Sequence, residues 1–221
     1  MNNLSYTKNL ENVIKQMLFP LKGIPFNLVI ENISGKKILP FNKNDKKDVI
    51  LLKDLKRVAK IAGIQINKTG IMRARPNEVG NDVEPFVKKA LLSIGYEAYT
   101  PRTIKSKQKK TMGYPDIEFI DKFNRTSYLE CKTFNIQNIN TTQRSFYLSP
   151  SEDFKVTKDA HHLIISYEIY IAGKIGKKNV FKCKSWKILN IEKLLVDVKY
   201  EFNTHNRQLY SKALILADGK L

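Results

Sequence analysis

Asp116, Glu130 and Lys132 lie within one short stretch, Gly113 to Phe134, of a chain that carries 39 Lys and Arg against 21 Asp and Glu. The stretch reads GYPDIEFIDKFNRTSYLECKTF, two β-prone runs joined by a polar turn. Side chains alternate faces along a strand, so Glu130 and Lys132 share one face while Leu129, Cys131 and Thr133 take the other. Ile117 and Phe119 then face a core, and Asp116 and Glu118 face away from it. The turn DKFNR lets the two runs pair antiparallel. Asp116 and Glu130, with 13 residues between them, thereby converge at one end of one sheet face. Two carboxylates brought close repel each other unless a cation sits between them. Mg²⁺ suits a site of one or two carboxylates completed by water and substrate phosphate. Lys132 is no ligand, but it can hold a water in line with phosphorus or neutralise charge in the transition state. The chemistry this arrangement implies is metal-assisted hydrolysis of a phosphodiester. The competing reading is a surface strand with a cross-strand ion pair, which is common and worth little. It leaves the Pro115-Asp116 pair after a basic loop without a reason.

The surrounding elements must hold these groups. Pro115 has no N–H and marks the start of a strand rather than its middle. Before it, EVGNDVEPFVKKALLSIGY reads as an amphipathic helix starting around Asp82, with Val83, Phe86, Val87, Ala90, Leu91 and Ile94 as its apolar stripe. YEAYTP is a short strand, and RTIKSKQKKTMG has no apolar periodicity and reads as a mobile basic loop. AHHLIISYEIYIAG reads as a buried strand and VFKCKSWKIL as another. NIEKLLVDV reads as a short helix, and the tail NRQLYSKALILAD as a further helix. Nearer the start, Leu4 to Leu18 has helical spacing, PFNLVIENISGKKILPF reads as a hairpin turning at Ser34-Gly35, and DVILLKDLKRVAKIAGI as a helix capped by Asn44 or Asp45. Its basic face carries Lys53, Lys56, Arg57 and Lys60. NKTGIMRARPNEVGN is a break and places a boundary near Arg75. The order suggests an α/β core with a mixed sheet.

Pro115-Asp116 followed by Glu130-Cys131-Lys132 resembles the PD-(D/E)xK nuclease motif, with Cys131 as its variable residue. The superfamily includes type II restriction endonucleases, junction resolvases and repair nucleases. The resemblance covers about Glu78 to Tyr170 and is nearest to a type II restriction endonuclease. It implies a restriction-endonuclease-like mixed β-sheet core flanked by helices over residues 76–221, Mg²⁺ dependence, and cleavage leaving 5′-phosphates. Residues 1–75 then form an N-terminal α/β extension for DNA recognition or dimerisation. By the same resemblance Asp116 and Glu130 are metal ligands, with the backbone carbonyl of Cys131 as a further oxygen. Lys132 is the catalytic lysine. Glu84 is the auxiliary carboxylate, with Glu78 as its competitor. A homodimer acting on double-stranded DNA and a companion DNA methyltransferase are implied in the same way. The alternatives are a structure-specific junction or repair nuclease, or a nucleic-acid-binding protein without catalysis.

The formal net charge is +18, which on a folded domain favours a polyanion partner, although a Lys-rich proteome would raise the same figure. The candidate DNA contacts are Arg73 and Arg75 in the break, Lys105, Lys107, Lys109 and Lys110 in the basic loop, and Gln143, Arg144, Tyr147 and Lys155 after the second run. These bring the bidentate donors, aromatic edge and cations that phosphates and base edges take. His161 and His162 are adjacent on a strand, face opposite ways, and read as structural. Cys131 and Cys183 form no disulfide framework. The opening residues lack an apolar signal core, and no apolar run is long enough to span a membrane, so a cytoplasmic location is expected.

Overall fold

The computed structural model describes residues 3–19, 21–109, 113–142, 144–200, 204 and 206–217. In chain order its elements are α1 (Asn3–Met17), β1 (Ile24–Pro25), α2 (Phe26–Ser34), α3 (Lys46–Thr69), β2 (Ile71–Arg73), α4 (Gly80–Ser93), β3 (Glu97–Tyr99), β4 (Ile117–Ile120), β5 (Thr126–Phe134), β6 (His161–Ile175), β7 (Lys178–Asn190), β8 (Leu195–Val196) and α5 (Asn206–Leu209). Short 3-10 turns occupy Pro76–Glu78 and Ile136–Asn138.

Six strands form one sheet in the order β2-β7-β6-β5-β4-β3. β5 and β6 run parallel and every other neighbouring pair is antiparallel. This is the mixed sheet, flanked by helices, that the restriction-endonuclease-like reading expects. Alternation along the strands sorts the two faces. On one, Leu129, Cys131, Leu163, Ile165, Tyr167 and Phe181 pack against Leu55, Val58, Ala62 and Ile66 of α3 and Val83, Val87 and Leu91 of α4. This core runs unbroken through the sequence on both sides of Arg75. On the other face Phe26 of α2 sits among Tyr114, Phe146 and His162.

The chain divides into two compact units. Pro25–Leu194 holds the sheet and its core. Met1–Ile24 with Leu195–Leu221 holds α1 and α5. Within it, the Gly23 amide donates to Asp197 Oδ1 at 2.8 Å and the Val198 amide to the Leu21 carbonyl at 2.9 Å. Among the described residues no helix is long and apolar enough to cross a membrane.

Several local expectations are corrected. Residues 26–34 are helical, not the first arm of a hairpin. Phe26 and Ile30 are buried one turn apart, and Gly35, at φ 67°, closes the helix with its amide on the Glu31 carbonyl. Ser34-Gly35 is therefore a helix end, a role glycine fills as readily as a turn. Asp45 caps α3 by accepting from the Lys47 and Asp48 amides, as expected, but the helix continues to Thr69. α4 begins at Gly80, so Pro85 sits in its second turn. NIEKLLVDV forms a turn and then β8, and among its described residues the tail holds only the four-residue α5. The basic loop is pinned near its start: Asp153 accepts from the Lys105 amide at 2.8 Å and from the Ser106 hydroxyl at 2.8 Å.

Gly70 ends α3 at φ 71°, ψ 158°, a region essentially reserved for glycine. A Cβ there would lie 2.6 Å from Val180 Cγ1 of β7. Gly70→Ala is expected to lower stability by about 1–3 kcal/mol or more, read from the midpoint of urea unfolding.

Candidate active site

β4 and β5 pair from Ile117 opposite Leu129 to Ile120 opposite Thr126. One further step back along β4 brings Asp116 level with Glu130. Asp116 Oδ2 accepts from the Cys131 amide at 2.8 Å, which fixes its carboxylate against β5. Glu130 is buried at 5 % exposure. Lys132 Nζ pairs with Glu130 Oε1 at 2.8 Å, whereas Glu130 Oε2 is buried with no hydrogen-bond partner among the described residues. The ordinary Asp pKa of 3.8 is pushed up at Asp116 to about 7. Burial is the first cause and the Glu130 charge the second; the Cys131 amide and Lys132 oppose them, and Glu84 adds to the rise. The convergence read from strand alternation is thus present in the structure.

Glu84 lies on α4, where Lys88 Nζ meets its Oε1 at 3.2 Å and also donates to Thr100 Oγ1 at 2.7 Å. Its charge acts on Asp116 and on the buried Cys131 thiol, whose pKa burial drives well upward. The Glu78 charge falls instead on Arg73. Of the two candidates for the auxiliary carboxylate, only Glu84 acts on Asp116.

Beneath these groups lies an aromatic floor that sequence reading missed. Tyr114, two residues before Asp116, meets Phe26 edge-on at 5.5 Å and stacks on His162 at 5.8 Å between centroids. A 2.6 Å hydrogen bond joins the Tyr114 hydroxyl to His162 Nδ1. Burial pulls the His162 pKa down to about 3, so the ring is neutral. Phe146 packs on Phe26 and Tyr114 and lies 5.9 Å below the Lys132 ammonium. Only the parallel register of β5 with β6, which sets Tyr128 beside His162, reveals this role; no local sequence signal carries it. His161, on the opposite face, is within reach of the Leu39 carbonyl at 3.1 Å and of Asp48 at 3.3 Å, as a structural histidine would be.

The candidate DNA contacts are dispersed. Arg73 is engaged bidentately by Asp82 at 2.6 and 2.7 Å, and Arg75 is exposed. Lys105 pairs with Glu152 at 2.6 Å, while Lys107 and Lys109 are exposed on the pinned loop. Arg144 lies 4.6 Å from the Tyr147 ring centroid, with Tyr147 more than half exposed. Lys155 is only 2 % exposed, so its ammonium is not on the surface that a phosphate would meet. Lys110 and Gln143 lie outside the described residues.

Among the described residues no cluster of three or more His, Cys, Asp or Glu side chains is arranged to hold a metal ion. Two carboxylates are what an octahedral Mg²⁺ asks of a protein when water and phosphate complete the shell. The orphaned Glu130 Oε2 and the mutual repulsion at Asp116 are both relieved by a divalent cation, so these residues fit one.

The model of the type II restriction enzyme MjaV family matches residues 20–213. A curated relative, the type II restriction enzyme MjaV of Methanocaldococcus jannaschii, is 40 % identical over an alignment that covers all of both chains. No solved structure matches the chain.

Proposed function

This chain belongs to the type II restriction enzyme MjaV family, and from that premise we propose that its cleavage site is the cluster of Asp116, Glu130 and Lys132. As a member it is a type II site-specific deoxyribonuclease that hydrolyses double-stranded DNA. One observation carries the assignment of the site. Two carboxylates and a lysine meet at the end of one sheet face, with a buried carboxylate oxygen that no described residue satisfies.

In the proposed reaction a water oxygen attacks phosphorus and the bond to O3′ breaks, leaving a 5′-phosphate and a 3′-hydroxyl. Asp116 and Glu130 would hold Mg²⁺, with the Cys131 carbonyl as a further oxygen donor and Glu84 as auxiliary carboxylate. The bound ion would supply Lewis-acid stabilisation of charge on the phosphate oxygens and lower the pKa of water. Lys132 aligns the attacking water and stabilises the negative charge that builds on the phosphoryl group. The Cys131 amide keeps Asp116 in place, and the aromatic floor under Lys132 limits where its ammonium points.

Arg75, Lys107, Lys109, Arg144 and Tyr147 are proposed as DNA contacts, with Arg73 and Lys105 acting once they exchange their carboxylate partners for phosphate. A homodimer, a companion methyltransferase and a cytoplasmic location complete the proposal, and residues 1–75 are assigned to recognition or dimerisation. EDTA is expected to abolish cleavage of phage DNA, and Ca²⁺ to support duplex binding without turnover. Discrete bands in Mg²⁺ that persist undiminished in excess EDTA would refute the metal reading.

A further inference from the structure

β6 and β7 are much longer than the sheet they belong to. β5 ends at Phe134, level with Glu168, yet β6 continues to Ile175. At about 3.3 Å per residue this carries the β6–β7 ribbon about 23 Å past the end of β5. Because β5 and β6 are parallel, the ribbon leaves the sheet at the C-terminal end of β5, beyond Lys132 and Phe134. β2 supports it only at Asn179, Val180 and Phe181. Residues 170–178 are all exposed, Ile175 to 64 %.

Its charge is one-sided. From Ile169 to Lys187 the sequence holds six lysines and no acidic residue. The register places two of them, Lys187 and Lys182, on the catalytic face, and between their rows Glu168 is met by Lys184 at 3.8 Å. Lys132 lies opposite Ser166, which lies opposite Lys187, so the three share a row across β5, β6 and β7. Lys187 Nζ sits 5.5 Å from the Phe134 ring on that face. Further out, Lys182 lies opposite the half-exposed Tyr170, and Lys174, Lys177 and Lys178 crowd the tip around Gly173 and Gly176. The result is a basic track from Lys132 to the end of a two-stranded ribbon. Such a ribbon fits the major groove of B-DNA, about 12 Å wide.

We infer that the β6–β7 ribbon is a duplex-gripping arm whose tip lysines contact phosphates across a groove beside the cleaved bond. The inference rests on placing the scissile phosphate at the Glu130 face, and it names a DNA-binding element separate from the basic loop.

The test is the salt dependence of binding. Each phosphate contact contributes about 0.9 to the slope of log affinity against log salt on B-DNA. The variant K174A/K177A/K178A is titrated with a duplex carrying the mapped cleavage site, in Ca²⁺, across a salt series. Its slope is expected to be shallower than that of the wild type by about 2.7. A second variant replaces residues 174–179 by Asn-Gly, closing the hairpin at the paired Gly173 and Val180 and leaving Phe181 in register. It should show the same loss with an unchanged unfolding midpoint. A wild-type slope in both folded variants overturns the arm. The outcome is separable from the fate of the cleavage site. Binding in Ca²⁺ requires no chemistry, so an active Lys132→Ala enzyme would remove the catalytic reading while the slope still reports on the ribbon.

Discussion

Lys132→Ala is expected to lower single-turnover cleavage on the order of 10²- to 10³-fold, or about 3 to 4 kcal/mol of transition-state stabilisation, while duplex affinity in Ca²⁺ changes little. The ammonium is held between Glu130 Oε1 at 2.8 Å and the Phe146 ring at 5.9 Å, on the face where Asp116 and Glu130 converge. Its attraction for the phosphate grows as charge moves onto the phosphoryl oxygens, so it acts on the transition state more than on the ground state. Ground-state affinity is spread over many other lysines and arginines. Folding should survive, because Lys132 is partly exposed and the apolar core lies on the opposite face. Truncation does leave Glu130 Oε1 without its cation, and metal binding should compensate for that loss. Lys132→Arg should not restore full activity, because the planar guanidinium does not present the compact point charge of an ammonium. Gel shift and single-turnover cleavage measured together decide the matter. Cleavage by Lys132→Ala at near wild-type rate would remove the lysine from the chemistry.

The site was legible in the sequence because it is local. Asp116, Glu130 and Lys132 sit on two neighbouring strands joined by a short turn, so period-two alternation and antiparallel pairing bring them together. The basic face of α3 was legible for the same reason, whereas the alternation of β7 breaks at a register shift beside Lys184. The misread elements are those whose state is settled by tertiary context. FNLVIENIS supports either period over nine residues, and the burial of Phe26 and Ile30 against the sheet decides for a helix. The loop at 103–108 reads as free because its anchor, Asp153, is 47 residues beyond Ser106. Lys155 looks like any other basic residue until its burial is known. The aromatic floor depends on the parallel register of β5 and β6, a long-range fact with no local trace. The ribbon left a trace that was available: six lysines without an acid over 19 residues, punctuated by two glycines. Its length beyond the sheet became visible only when β5 was seen to stop at Phe134.

Asp116→Asn is expected to abolish cleavage and yet stabilise the metal-free protein at pH 8 relative to wild type. The Asp116 carboxyl, ordinarily near 3.8, is raised to about 7 by burial and then by Glu130. A group whose folded pKa is raised binds its proton more tightly in the native state. Its stabilising contribution is complete below 3.8 and is lost as pH rises through about 7. Across that interval the stability of the metal-free wild type should fall with increasing pH, by an upper bound on the order of 4 kcal/mol. Asparagine keeps the shape and can still accept from the Cys131 amide, but it carries no charge to be desolvated or repelled. The variant should therefore exceed wild type by a smaller margin near pH 5 and by the full margin near pH 8 when EDTA is present. A divalent ion reverses the order. It neutralises the Asp116–Glu130 repulsion in the wild type and stabilises the fold by mass action, whereas the variant has lost one of its two carboxylate ligands. Urea unfolding at both pH values, with EDTA and with Ca²⁺ or Mg²⁺, gives four comparisons for each protein. Equal pH profiles for the two proteins in EDTA would show that Asp116 does not carry the raised proton affinity. An equal gain from Ca²⁺ would show that the ion binds elsewhere.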